Sequence, residues 1–241
     1  MNLNEVNCGV DAYRVDRSAS SGAATDVIIY VLCFDTTTYE KSLQIYATYS
    51  WAKPIIIKYQ DYTFENAFWK QMLEISDEWE KCDMVGTISH KAHTKINIGL
   101  VDNIITNKLY LPNNYYYWFY QSTDTLFNDT TIAVNTPDNE KCKILINYMS
   151  ENLNNTTDCT ISFCNYWMTT PMLMKHFINW HINVCLPLLL NHPLCFDKYT
   201  YTPSTALSEE RLIQLWGKPY YPMIPFVFER INSIFFYNLD K

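Results

Sequence analysis

The sequence predicts an α/β fold with one mixed sheet flanked by helices. Three observations carry that. Val27-Ile-Ile-Tyr-Val-Leu-Cys-Phe34 is a continuous β-branched and aromatic run, the pattern of a strand covered on both faces. Pro54 to Lys58 and Cys82 to Ser89 repeat it in shorter form. Helical spacing separates the three runs, and strand–helix–strand–helix–strand over some sixty residues is the signature of a parallel sheet with helical crossovers.

The elements follow in order. Residues 1–25 form a flexible polar extension ending in Ser18-Ala-Ser-Ser-Gly-Ala-Ala24, and residues 26–241 form the single domain. Asp35 ends the first strand, and Thr36 to Thr38 are capping candidates for a helix over Tyr39 to Tyr49, with Leu43, Tyr46 and Ala47 on one side. After the second strand, Thr63 reads as the N-cap of a helix carrying Phe64, Phe68 and Met72 at spacing four, ending near Ile75. The aromatic run Asn113 to Tyr120 reads as a strand or an aromatic wall, Asp138 to Asn152 as a helix, and Ile161 to Phe163 as a short strand. Pro171 opens a helix to Leu190 that Pro187 interrupts. Residues 191–225 hold five of the ten prolines and read as loop around a helix at Ser208 to Trp216, before a helical closing segment.

Composition narrows the function. The 241 residues are 48% hydrophobic and 16% aromatic, a globular composition with length for a real core. A net charge of −7 argues against a nucleic-acid partner, which needs a basic face. The opening residues lack the apolar core of a secretory signal, and no apolar run is long enough for a membrane span, so a cytoplasmic location is expected. The eight Cys include no Cys-x-x-Cys and read as mostly reduced and buried. The Asn-x-Thr triplets at Asn128, Asn154 and Asn155 are the chance yield of an Asn- and Thr-rich chain.

Five glycines, at 9, 22, 86, 99 and 217, cannot write a Gly-x-Gly-x-x-Gly or a phosphate-binding P-loop. There is no Gly-x-Ser-x-Gly, and His176 and His181 are five apart, off the four-residue spacing of a zinc helix. A positive signal follows the third strand: His90, Lys91, His93 and Lys95 stand where ligands of open α/β sheets bind, beyond the carboxyl ends of the strands.

Phe64-Glu65-Asn66, Asp83-Met-Val-Gly86 with the basic tract after it, Asn165-Tyr-Trp-Met168, and Glu229-Arg-Ile231 together resemble a family of glycosyltransferase-like domains. Its members occur in bacterial polysaccharide clusters and in large DNA viruses. The resemblance spans roughly Asp26 to Phe236; Glu65 follows Phe64 directly, where the family pattern has an intervening residue. It implies a GT-A-like (Rossmann-like) domain that moves a sugar from a UDP- or GDP-type nucleotide sugar to a glycan or glycoprotein acceptor, in the host cytoplasm if the viral branch applies.

Sugar transfer needs a diphosphate site, a way to stabilise the leaving group, and a base for the acceptor hydroxyl. Donor-binding candidates are Asp35, Glu65, Asn66, Gly86, His90, Lys91 and His93. Asp35 reads equally as a helix cap, Glu65 as a first-turn carboxylate, and the basic tract as a solvated segment. The sequence has no Asp-x-Asp, so whether a divalent cation (Mn or Mg) is needed stays open; cationic side chains are the other way to meet the leaving charge. Asp124 and Glu229 are the candidate bases, against an ordinary turn carboxylate and a structural ion pair with Arg230. Asn165, Tyr166 and Trp167 read as an acceptor platform or as aromatic core. The rival function is a glycan-binding module on the same fold, without turnover.

Overall fold

The computed structural model describes residues 26–110, 115–125, 137–153, 160–162, 164–200 and 207–237. The extension assigned to residues 1–25 lies outside them. The chain runs β1 (Val27–Cys33), α1 (Thr36–Ile45), β2 (Ala52–Ile56), a 3-10 turn (Phe64–Ala67), α2 (Phe68–Glu74), α3 (Ser76–Trp79) and β3 (Met84–Ser89). It continues with α4 (Ala92–Lys95), α5 (Ile98–Thr106), β4 (Tyr116–Trp118), β5 (Gln121–Thr125), α6 (Pro137–Asn152), β6 (Thr160–Ser162), β7 (Trp167–Thr169) and α7 (Pro171–Trp180). A π-helical turn (His181–Cys185) leads into α8 (Leu186–Leu190), then β8 (Lys198–Tyr199), α9 (Glu209–Trp216), β9 (Tyr221–Pro222) and α10 (Ile224–Tyr237).

The main sheet has the order β2-β1-β3-β7-β4, with β1 parallel to both its neighbours and β7 antiparallel to both of its own. Alternation along the strands splits the core into two layers. Val27, Ile29, Val31, Met84 and Ile88 pack with Tyr46 and with Val101, Ile104 and Ile105 of α5. Tyr30, Leu32 and Val85 pack with Phe68, Trp69 and Met72 of α2 and Phe177 and Ile178 of α7. Burial of each such side chain contributes about 1.5–3 kcal/mol, so both faces of the sheet are closed by helices. The expected α/β architecture is present, a mixed sheet flanked by helices.

Several boundaries differ from the expected ones for physical reasons. α1 begins three residues early because Asp35 itself is the cap: its carboxylate accepts from the Thr38 N–H at 2.7 Å, and the Thr38 hydroxyl closes the box. The buried face of α1 is set by Ser42, whose hydroxyl accepts from the Cys33 thiol at 3.4 Å, while Leu43 is 45% exposed. Thr63 is not a cap; its hydroxyl donates to Asp61. Pro187 removes one helical donor, and the helix absorbs the loss by widening into the π turn before it.

Gly86 lies inside β3, paired with Met168 of β7. A Cβ there would meet the Trp167 carbonyl oxygen at 2.3 Å and the Met168 Cβ at 2.6 Å. Its glycine is explained by this close strand approach, and it is not among the cavity-lining residues, so the sequence reading that put it at the donor is corrected. Gly86→Ala should cost about 1–3 kcal/mol, read as a lower urea midpoint at unchanged m-value.

Candidate functional site

Along the sheet, the connection leaving β1 runs to β2 on one side, and the chain then crosses to β3 on the other. The point between the carboxyl ends of β1 and β3 is therefore the topological switch, where open α/β sheets part their helices and leave a crevice. A cavity of about 590 Å³ lies there. Phe34 and Asp35 enter it from the end of β1, Ser89 and His90 from the end of β3, and Lys41 and Ser42 from α1. His93, Thr94 and Lys95 come from α4, Glu65 and Asn66 from the 3-10 turn, and Phe226 and Glu229 from α10.

Two carboxyls face this cavity from segments 164 residues apart in sequence. Burial raises the Glu65 carboxyl, the nearby Glu229 charge raises it further, and Lys95 and Lys91 pull it back only partly, leaving it at about 8. Glu229 is raised as well, first by burial, against the lowering pull of Arg230 and Lys95. Neither makes a side-chain hydrogen bond or an ion pair within 4.0 Å among the described residues. Two like charges in a partly dry wall cannot both ionise cheaply, so Glu65 holds its proton at neutral pH.

The basic tract behaves unevenly. His90 is pinned to the end of β1: its N–H donates to the Leu32 carbonyl at 3.0 Å, and Nδ1 lies 3.2 Å from the same oxygen. Burial and the adjacent Lys91 charge push its pKa below the ordinary value, so His90 is neutral at pH 7 and supplies no cation, contrary to the sequence reading. Lys91 is half-buried, and burial lowers it while Glu65 supports its charge. Lys95 lies 3.1 Å from the Cys164 sulfur and 5.6 Å above the Tyr166 ring. The positive charge at the carboxyl pair therefore comes from Lys91 and Lys95, together with Arg230 next to Glu229. His93 is exposed at the rim, its Nδ1 3.0 Å from the His90 carbonyl.

Comparison with protein-family models, with curated proteins and with solved structures returns no match. The site must be read from its own residues.

Of the expected site residues, Asp35, Glu65, Asn66, His90, Lys91, His93 and Glu229 share this one cavity. Asp35 serves as the α1 cap at the same time, and the bond from the Thr38 N–H holds its carboxyl below the usual range. Asn165, Tyr166 and Trp167 are 2%, 0% and 1% exposed, so they form no acceptor surface. The β7 alternation and the stacking of Trp167 on Trp69, centroids 5.5 Å apart, turn them into core. The Tyr166 hydroxyl hydrogen-bonds Ser89, which lines the cavity, but Tyr166 itself does not line it. Asp124 falls in β5, and its side chain lies outside the described residues.

Sequence reasoning missed Lys41, Phe64, Tyr221 and Phe226 in the lining. Lys41 had a readable signal, standing six residues past a strand end on the first helix. Tyr221 had none, because the proline-rich stretch that carries it has no periodicity, and Phe226 stood in the closing segment beside Glu229 without being read as part of the site. Among the described residues no group of three or more His, Cys, Asp or Glu is placed to hold a metal ion, and no helix is long and apolar enough to cross a membrane.

Proposed function

We propose that this chain is a glycosyltransferase of GT-A-like type, moving a sugar from a UDP- or GDP-type nucleotide sugar to a glycan or glycoprotein acceptor. The observation that carries the reading is the carboxyl pair Glu65–Glu229 set against Lys91 and Lys95 at the switch-point crevice. In the proposed step the acceptor hydroxyl gives its proton to the Glu229 carboxylate as its oxygen bonds to the anomeric carbon. The bond from that carbon to the diphosphate oxygen breaks, and its electron pair leaves with the phosphate. Lys91 and Lys95 meet the developing charge, a contribution strengthened by the partly dry wall. Glu65, protonated, donates a hydrogen bond to a sugar hydroxyl. Asp35 at the β1 end and the Phe34 and Phe64 rings suit a nucleoside.

A raised carboxyl is the better base near neutral pH, which is what the Glu229 environment produces. The chemistry is tested by supplying a panel of UDP- and GDP-sugars, with and without Mn²⁺ or Mg²⁺, and following thermal shift, donor hydrolysis and transfer. A donor at 100–1,000 times its Kd adds about 3–4 kcal/mol of apparent stability, readily seen in such a scan. If no nucleotide sugar shifts the transition or is turned over, the transferase reading fails. The aromatic rings Phe34, Phe64, Tyr221 and Phe226 in the lining favour one second reading, a glycan-binding module without turnover. Glycan binding with no nucleotide affinity would select it.

His90→Ala with Lys91→Ala should weaken donor binding by about 10²-fold, most of it from Lys91, since a hydrogen bond to a charged group contributes about 1.5–3 kcal/mol. Both side chains sit past the strand end at a cavity wall, so the melting temperature should change little. Isothermal titration with the donor checks this, and unchanged affinity would remove the tract from the phosphate role.

A further inference from the structure

Behind the cavity, two segments that line it and the chain entering β7 are tied to one another by buried side-chain amides. Asn66 follows Glu65, Asn165 follows Cys164, and Asn232 stands one helical turn beyond Glu229 on α10. Asn165 Nδ2 donates to Asn66 Oδ1 at 3.3 Å, and Asn232 Nδ2 donates to Asn165 Oδ1. At the near end, Asn66 Oδ1 also accepts from Trp69 Nε1 at 3.3 Å, and Asn66 Nδ2 donates to the Thr63 carbonyl at 3.2 Å. The three amides are 4%, 2% and 2% exposed. An amide out of water must be paired, so these bonds set direction as well as distance.

The backbone shows the same concentration of constraint. Phe64 (φ 52°), Cys164 (φ 64°) and Asn165 (φ 55°) all hold the left-handed conformation; Phe64 precedes Glu65, and Cys164 precedes the relay residue Asn165. A bulky residue keeps that conformation only where its surroundings impose it. Thr87 of β3 adds a further tie, its hydroxyl donating to the Asn165 carbonyl at 2.7 Å. The core on this side of the sheet is mostly aromatic and aliphatic, which makes three linked amides there a costly choice unless they hold a geometry.

We propose that Asn66, Asn165 and Asn232 form a positioning relay that fixes the 3-10 turn against α10, and so holds Glu65 and Glu229 close to one another at the cavity. None of the three is a catalytic residue. The proposal rests on the acid–base role assigned to the pair above, but the relay can be tested without any ligand. The charged and titratable groups facing Glu65 are Glu229 on α10, Lys91 and Lys95 after β3, and Cys164 beside Lys95. Loosening the relay separates the two carboxyls and admits water, and both changes return Glu65 toward an ordinary carboxylate.

The experiment is a carboxyl titration of the free protein by ¹³C NMR, with Glu65→Gln assigning the Glu65 signal. Asn165→Gly keeps the left-handed backbone and removes only the amide; Asn232→Ala removes the far end and leaves the cavity-side backbone untouched. The parent should show one side-chain carboxyl titrating far above the usual range, and in either variant its midpoint should fall by about one pH unit or more, with cooperative unfolding retained. An unchanged midpoint in both variants overturns the relay. So does loss of cooperative unfolding in both, which would make the amides part of the folding core, and so does the absence of any raised carboxyl in the parent. A shifted midpoint in a protein that binds no nucleotide sugar would leave the relay standing and sink only the transferase reading.

Discussion

Glu229→Gln should fold as the parent does and lose about 10²–10⁴ in turnover, the contribution of a positioned general base. The competing outcome is that Glu229 is half of a buried ion pair, whose loss would cost about 3–5 kcal/mol through the stranded partner. The geometry disfavours that outcome. No ion pair joins Glu229 to Arg230, and Arg230 instead donates to the Phe226 carbonyl at 2.6 Å, one turn back on α10. Burial already disfavours the Glu229 charge, so its replacement by a neutral isostere should leave the melting temperature equal or slightly higher. Donor turnover and thermal unfolding on the same preparation check both halves. A variant that melts earlier and retains full specific activity removes Glu229 from the proposed step.

The pH dependence of stability should run opposite to the usual acid-denaturation pattern in one window. The Glu65 pKa rises from 4.5 in the unfolded chain to about 8 in the folded one, so the folded state binds the proton more tightly. Its stabilising contribution is complete below about 4.5 and is lost as pH climbs through 8. Glu229 is displaced in the same direction and adds to the trend. Asp35 is displaced downward, and its contribution disappears only as pH falls below the usual carboxylate range, outside this window. Between pH 5 and about 6.5 the downward-displaced His181 and His90 act in the opposite sense, so the fall is read above them: the melting temperature should drop by roughly 3–5 °C between pH 7 and pH 9. Glu65→Gln should flatten most of that slope. A parent curve flat from pH 7 to pH 9 would show that Glu65 does not hold its proton at neutral pH.

Much of the architecture was legible because it is written in local periodicity. The run Val27 to Phe34, too apolar for a strand with a wet face, became an inner strand of the sheet, covered on both sides. The end of the third strand was legible too, and with it the ligand edge, since any residue just past a parallel strand stands at the crevice. Where local rules competed, the sequence reading went astray by a residue or a face. Asp35 and Thr38 both cap well, and in the folded chain Asp35 is the cap while Thr38 closes the box. Leu43 looked like the buried side of α1, yet the register that seats Ser42 over Cys33 left it 45% exposed. Asn165, Tyr166 and Trp167 are polar and aromatic enough for a sugar platform, yet all three are buried, Trp167 through its pairing with β3 and Asn165 and Tyr166 in the chain that leads into it.

Residue identity along the chain determined that a two-sided sheet would form, that its third strand would deliver lysines to an edge, and that Glu65 and Glu229 would stand in largely apolar neighbourhoods. Those are consequences of spacing and side-chain chemistry within a few turns or strands. Only the tertiary structure decided that these two carboxyls meet, that burial keeps a proton on one of them and holds His90 neutral, and that three asparagines from separate segments link behind them. Proximity between residues 164 positions apart, and the loss of water that displaces a pKa, are properties of the packed chain. No local pattern in the sequence can encode them.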